Sequence, residues 1–319
     1  MSKPKLAIYW AASCGGCDVS ILDIHEHILD VDKNFELVLW PVAADFKYKD
    51  IEIMQDQEIF LTLFNGSIRN SENEHIAKLL RKKSKVLVAF GSCAHLGGII
   101  GLANLYKKED ILDTVYNKSI STHNPDKIIP KTTVQVKEGE LTLPKFYNYL
   151  RSLDQVVDVD YYIPGCPPNP EQVVSIVKHV IEKKPLPPKG SVLGAGEKSQ
   201  CEECKRKKNI KKIREIKRIA TSIPDPETCL LEQGFLCIGP ATRSGCGVAC
   251  VNAGVPCRGC YGPPPNVMDQ GAKMLSAIAS VIDSESPDEI NKIIEQIIDP
   301  VGTFYRFSLP TSLLRRSDI

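Results

Sequence analysis

Cysteine is the residue type in this chain best suited to chemistry, since twelve of the 319 residues are cysteines. Three pairs have two residues between them, a spacing typical of thiolates that bind zinc or an iron–sulfur cluster. The number suits three four-thiolate sites, although it would equally suit six disulfides. The positions are Cys14, Cys17, Cys93, Cys166, Cys201, Cys204, Cys229, Cys237, Cys246, Cys250, Cys257 and Cys260.

The expected compartment favours metal binding over disulfides. The first predicted strand begins a few residues after Met1, with no charged segment, apolar stretch and cleavage site typical of a signal peptide before it. We therefore expect a cytoplasmic protein. Cytoplasmic thiols are kept reduced, so the cysteines are predicted to bind metal or to carry out redox chemistry.

The first four cysteines lie in loops that follow predicted strands. Cys14 and Cys17 follow the first strand, while Cys93 and Cys166 each follow a later one. Loops at the carboxyl ends of parallel strands meet at one edge of a sheet, so these four thiols are expected to converge. Neighbouring glycines allow the backbone to approach a cluster closely. The alternative is a redox dithiol at Cys14 and Cys17, with Cys93 and Cys166 buried as small apolar residues.

The other eight cysteines lie within residues 201–260 and are enough for two further four-thiolate sites. Zinc would accept this spacing. The irregular intervals, and a third thiolate site in the same chain, favour clusters arranged as an electron relay, which zinc cannot form because it has no redox chemistry. Residues 229–265 show little helix or strand periodicity, which indicates that bound metal orders them.

Apolar β-branched segments that alternate with amphipathic ones predict an α/β fold with a parallel, doubly wound sheet. Residues 185–198, rich in proline and glycine, are predicted to link a first domain, 1–184, to a second, 199–319, which is irregular and ends in helices. The predicted strands are 6–10, 35–42, 59–64, 86–90 and 157–163, the helices 19–29, 73–82, 171–183, 267–282 and 287–298, and a hairpin 132–143.

Composition and charge exclude several classes of partner. The hydrophobic fraction of 43% is that of a globular protein, and no run of 18 apolar residues predicts a membrane span. A net charge of +1 provides no overall attraction to nucleic acid. Residues 205–218, here called the basic segment, hold nine Lys or Arg and one Glu, leaving −7 on the rest of the chain. This segment either docks an acidic electron acceptor or is a solvated face.

Taken in order, the cysteine motifs resemble those of the small subunits of nickel–iron hydrogenases over nearly the whole chain. The resemblance is carried by Cys14-Gly-Gly-Cys17, Gly91-Ser-Cys93, Gly165-Cys166-Pro-Pro, Cys237-Ile-Gly-Pro-Ala-Thr and Pro256-Cys257-Arg-Gly-Cys260. It implies a flavodoxin-like sheet domain followed by an irregular iron–sulfur domain with helices. It also implies an electron-transfer role, with a Ni–Fe centre in a separate large subunit and no catalytic residue in this chain.

The resemblance further implies three cluster sites. The proximal site would use Cys14, Cys17, Cys93 and Cys166, the distal site Cys201, Cys204, Cys229 and Cys237, and the medial site Cys246, Cys250, Cys257 and Cys260. The chain has Cys201 where the family usually has His, and Cys250 supplies a fourth medial ligand in place of the usual three. Three 4Fe–4S clusters are therefore expected. An exchange of Cys237 and Cys246 between the distal and medial sites is left open.

Two further features place the chain within the family. Val19 stands where many relatives have Glu, so a proton-relay role is not carried to this position. The all-cysteine sites and the absence of a twin-arginine leader resemble the cytoplasmic, F420-non-reducing group of methanogenic archaea. That resemblance implies a small 2Fe–2S acceptor subunit and the heterodisulfide reductase complex as partners. The alternatives are a quinone-reducing relay related to complex I and a zinc- or flavin-binding module.

Overall fold

The computed structural model describes residues 3–209 and 211–315 of the chain. Its centre is a five-stranded parallel sheet in the order β2-β1-β3-β5-β9, with the first strand between the second and third. Flavodoxin-like sheets have this order, and the predicted fold class is confirmed. The strands are β1 (Lys5–Trp10), β2 (Glu36–Leu39), β3 (Ile59–Asn65), β4 (Ile68–Asn70), β5 (Ser84–Phe90), β6 (Thr133–Val136), β7 (Gly139–Thr142), β8 (Phe146–Arg151) and β9 (Tyr161–Ile163).

Helices follow most of the strands, and their ends have recognisable caps. The Asn70 side chain accepts a hydrogen bond from the Asn73 backbone N–H, and Asn169 caps the helix that opens with Pro170. The helices are α1 (Gly16–Leu22), α2 (Ile28–Asn34), α3 (Tyr48–Glu52), α4 (Ser71–Lys83), α5 (Ser92–Leu96), α6 (Lys108–Asp113), α7 (Pro170–Ile181), α8 (Ala249–Asn252), α9 (Gln270–Val281), α10 (Pro287–Ile294) and α11 (Pro300–Phe304).

Several predicted elements differ from those observed. The single helix predicted at 19–29 is wrong, because α1 ends at Leu22 and His25 has a φ of +56° that interrupts the helical path. The predicted strand 35–42 ends at Leu39. The hairpin is confirmed as the antiparallel pair β6 and β7, whereas the antiparallel pair β4 and β8 was not predicted.

Apolar cores lie on both faces of the sheet, one around Phe64 and the other around Phe90. A further core around Phe235 and Met274 orders the cysteine-rich part of the chain. This part packs against the sheet, where the backbone N–H of Gly98 donates to the carbonyl oxygen of Phe307 at 3.0 Å. The division into residues 1–184, 185–198 and 199–319 stays a prediction.

Candidate metal centres

The four thiols predicted for the proximal site gather at the carboxyl edge of the sheet. Cys14 and Cys17 follow β1, the latter as the second residue of α1, while Cys93 lies in α5 after β5. Cys166 follows β9. Each of the four acts electrostatically on the other three, which indicates that loops as far apart in sequence as Cys14 and Cys166 lie close together. Cys14 and Cys166 are exposed, whereas Cys17 and Cys93 are buried.

Two glycines leave room for the buried sulfurs. Gly91 has φ +84°, and a Cβ there would lie 2.3 Å from the Cys17 Sγ. Gly98 has φ +65°, and a Cβ there would lie 2.4 Å from the Cys93 Sγ. Any larger residue would displace the sulfur as well as strain the backbone. The loops are therefore shaped around these two sulfur atoms.

The buried thiols are unfavourable as isolated thiolates. Burial raises the pKa of Cys17, and the neighbouring Cys93 and Cys166 raise it further. Burial, followed by Cys166 and Cys14, raises the pKa of Cys93 to about 12. Thiolates so close together need a compensating positive charge, which iron or another metal provides.

The distal group surrounds a turn in the second half of the chain. Cys201 lies in a 3₁₀ turn at Gln200–Glu202, and the thiols of Cys204, Cys229 and Cys237 act on it electrostatically. Burial is the largest cause that raises the pKa of Cys201 to about 12, and the nearby Lys208 opposes it. A Cβ at Gly239 would lie 3.3 Å from the Cys201 Sγ and 3.6 Å from the Cys237 Sγ, so this group also has a close glycine.

The medial group is centred on Cys260. Burial raises the pKa of Cys260 to about 12, and the thiols of Cys166, Cys250 and Cys246 contribute. Cys257 is buried and also interacts with Cys260. Cys246 lies beside Cys260, and Cys237 lies beside Cys201 but also adjoins Cys257. The division of these eight cysteines into a distal and a medial set of four stays a prediction.

Direct contacts connect the medial group to both others. The buried Ser92 hydroxyl contacts the carbonyl oxygens of Gly165 at 2.8 Å and Cys260 at 2.5 Å, which ties the proximal loops to the medial group. On the other side, the backbone N–H of Cys257 donates to the Cys237 Sγ at 3.4 Å. The cysteines predicted for the medial site therefore contact both of the other predicted groups.

The donor sets fit iron–sulfur clusters in both number and chemistry. Four cysteines are predicted for each group. Glycines border sulfurs of the proximal and distal groups, and the Cys237 sulfur accepts a backbone N–H, as cluster ligands often do. Within residues 3–209 and 211–315, no set of three or more His, Cys, Asp or Glu is close enough to hold a single metal ion.

Several residues that surround the thiols were not singled out from the sequence. Asp18 is a buried carboxylate between Cys17 and Val19, and its place directly after a cysteine pair was a usable signal. Ser92 offered no such signal, because its partner Cys260 is 168 residues away. Arg258 is half-buried and acts on Cys237, Cys250 and Cys257.

The basic segment lies against the distal group, and part of its charge has internal partners. Lys208 Nζ donates to the carbonyl oxygen of Cys201 at 2.6 Å. Lys207 pairs with Glu227 at 2.5 Å and Arg214 with Asp283 at 2.8 Å. Lys208 and the neighbouring Lys205 are exposed, so a positive surface lies beside the distal thiols.

Comparison with known proteins identifies the family. Residues 14–180 match the family model for the NADH ubiquinone oxidoreductase 20 kDa subunit. The iron–sulfur subunit of the F420-non-reducing hydrogenase of Archaeoglobus profundus is 43% identical over 98% of both chains. A subunit of the F420-non-reducing hydrogenase of Methanothermobacter marburgensis is 38% identical over 98% of this chain and 96% of that protein. The chain belongs to this family of F420-non-reducing hydrogenase subunits. It is an electron-transfer subunit of a hydrogenase, an oxidoreductase that acts on hydrogen.

Solved structures agree with membership of this family. A subunit of an NAD⁺-reducing [NiFe]-hydrogenase is 26% identical, with a TM-score of 0.50, over 58% of this chain and 96% of that one. A chain of a [NiFeSe] hydrogenase from Desulfovibrio vulgaris Hildenborough has a TM-score of 0.51 over 83% of this chain and 95% of that one, and at 17% identity it supports the fold alone. Within residues 3–209 and 211–315, no helix has the length and apolar character needed to cross a bilayer.

Proposed function

We propose that this subunit carries electrons from hydrogen oxidation through three 4Fe–4S clusters, from a partner large subunit that holds the Ni–Fe centre to an iron–sulfur acceptor. The proximal ligands are Cys14, Cys17, Cys93 and Cys166, the distal ligands Cys201, Cys204, Cys229 and Cys237, and the medial ligands Cys246, Cys250, Cys257 and Cys260. The acceptor is a small 2Fe–2S subunit linked to heterodisulfide reductase, in the cytoplasm.

The observation that carries this proposal is the series of contacts between the three thiol groups. Cys260 adjoins Cys166 on one side, and Cys257 adjoins Cys237 on the other. Structural zinc sites can lie far apart in a protein. The sites of an electron relay must lie close to one another, because electrons pass directly between them. When bound, such clusters accept and pass on single electrons, at potentials set by charge, hydrogen bonds and solvent access.

The chain's own residues provide the surroundings in which this transfer occurs. Cys17, Cys93, Cys237 and Cys257 are buried, so protein in place of water surrounds much of each site. Ser92 fixes the proximal loops against the medial group. A fourth thiolate at Cys250 and a thiolate at Cys201 add negative charge, which favours the oxidised form and makes the relay more reducing.

Electrons enter on the proximal side. Cys14 and Cys166 are exposed there, and the exposed apolar side chains Trp10 and Val19 lie on the strand and helix that flank Cys14. Apolar side chains at a protein surface are suited to a permanent subunit interface. This face is the one proposed for the large subunit.

Electrons leave on the distal side, beside the basic segment. Lys208 lies at Cys201, and the exposed lysines there give the exit a positive surface. Charge complementarity with an acidic acceptor would speed encounter. The same positive surface would repel a basic acceptor.

The experiment is metal analysis with low-temperature EPR of the anaerobically purified complex. We expect about twelve iron and twelve sulfide per chain beyond the partners' share, with no 3Fe signal. Stoichiometric zinc with little iron would refute the proposal. A 3Fe signal that persists on anaerobic reconstitution would refute the four-ligand medial site while leaving the relay intact.

A further inference from the structure

Asp18 is a buried carboxylate in the helix that carries the proximal thiol of Cys17. It follows Cys17 in α1 and is 2% exposed. The Trp40 Nε1 donates to its Oδ1 at 3.0 Å, and the Asn65 Nδ2 donates to its Oδ2 at 2.5 Å. Trp40 directly follows β2 and Asn65 is the last residue of β3, so two strands of the sheet fix the carboxylate in position.

The hydrogen-bond donors that contact the Asp18 carboxylate are neutral. Both donors are uncharged, and the ion pairs found within residues 3–209 and 211–315 do not include Asp18. Burying a carboxylate is costly even when it is hydrogen-bonded, so a cation would be the usual partner at such a site. The effect of this charge at short range is strong because little water screens it. Burial comes first among the causes that raise the pKa of Cys17, then Cys93 and Cys166, and the Asp18 charge also contributes.

We infer that the Asp18 carboxylate, held by Trp40 and Asn65, lowers the reduction potential of the proximal site. This inference rests on the proposed function, since it requires a redox group at that site. A nearby fixed negative charge disfavours the addition of an electron. Asp18 therefore acts as a positioning residue that sets the energy at which electrons enter the relay.

The hydrogen-bond network allows the charge to be removed without loss of its shape. Asp18→Asn keeps the side-chain outline and removes the charge. The Asn65 Oδ1 is buried and has no hydrogen-bond partner. Rotation of the Asn65 amide by about 180° would direct this oxygen at position 18, where it accepts a hydrogen bond from the amide N–H of the new Asn side chain. The double variant Asp18→Asn with Asn65→Asp then returns one negative charge to the same network. Asp23→Asn is the matched control, because Asp23 is exposed at the end of the same helix.

The test is a potentiometric titration of the intact complex followed by EPR, with the proximal signal identified by its absence from a Cys17→Ser variant. We expect Asp18→Asn to shift the equilibrium about tenfold toward the reduced form, about 59 mV for one electron. The midpoint potential of the double variant is expected to return toward that of the wild type. The midpoint potential of Asp23→Asn is expected to equal that of the wild type.

Three outcomes would overturn the inference. They are an unchanged midpoint in Asp18→Asn, an equal shift in the single and double variants, and loss of the proximal signal from both variants. The last would give Asp18 a role in folding alone. Absence of a proximal signal from the wild-type complex would instead refute the proposed function, and the inference with it.

Discussion

Replacing Gly91 tests how closely the proximal loops fit the Cys17 sulfur. Gly91 has φ +84° and ψ +164°, a region that residues other than glycine rarely enter, at a cost of about 1–3 kcal/mol. The added Cβ of Gly91→Ala would also lie 2.3 Å from the Cys17 Sγ. Relief of that overlap requires the sulfur to move, at a further cost of about 1–3 kcal/mol. Gly91→Ala is therefore expected to lower the free energy of unfolding by about 2–6 kcal/mol in total. The atom that it displaces, the Cys17 Sγ, is also a proposed cluster ligand.

Gly190→Ala is the matched control for this variant. Gly190 has φ +88°, and no atom lies within 4 Å of the position of a new Cβ. It therefore places a side chain at a positive φ without the overlap, at a cost of about 1–3 kcal/mol.

The assay combines iron content, EPR and thermal unfolding of anaerobically purified complexes. We expect Gly91→Ala to lose the proximal signal and about four iron per chain, with a clear fall in unfolding temperature. Gly190→Ala is expected to keep all its iron. Full iron content, an unchanged proximal signal and an unfolding temperature equal to that of Gly190→Ala would refute the reasoning from the Gly91 contact.

Three further predictions follow from the described residues. Cys250→Ala is expected to convert one cluster to a 3Fe form, visible by EPR in the oxidised complex, and an unchanged spectrum would exclude Cys250 as a ligand. Replacing four lysines of the basic segment with Gln is expected to slow acceptor reduction about 3- to 10-fold in low salt, with the difference removed by high salt. The four are Lys207, Lys208, Lys211 and Lys212. Glu74 pairs with Lys78 at 2.5 Å and Arg151 at 2.6 Å, and these partners, Lys78 foremost, lower its pKa from 4.5 to about 2. Because the pKa of Glu74 is lower in the folded state, the ionised carboxylate stabilises the fold above pH 4.5, and this contribution is lost as the pH falls toward 2. Glu74→Gln is expected to reduce the free energy of unfolding, measured by urea denaturation, by about 1–2 kcal/mol at pH 7. If the difference between wild type and variant stayed constant down to pH 3, the charge of Glu74 would not be the source of the stabilisation.

Local sequence was sufficient to predict the sheet and the convergence of the first four cysteines. Strand and helix periodicities are set by neighbouring residues, and parallel strands must place their following loops at one edge. The sequence alone is therefore enough to group Cys14, Cys17, Cys93 and Cys166. The break in the helix at His25 escaped prediction because nothing in the apolar pattern shows that this residue adopts a positive φ.

The sequence by itself determined that twelve cysteines are available as sulfur ligands, and the resemblance to a known family suggested their division among three sites. Only the tertiary structure decided which cysteines of distant segments lie beside one another, such as Cys166 and Cys260 or Cys237 and Cys257. Ser92 meets Cys260 across 168 residues, and Asp18 meets Asn65 across 47. Such contacts form because the whole chain packs around shared cores, and packing between distant segments leaves no periodic signal in the residues that make it.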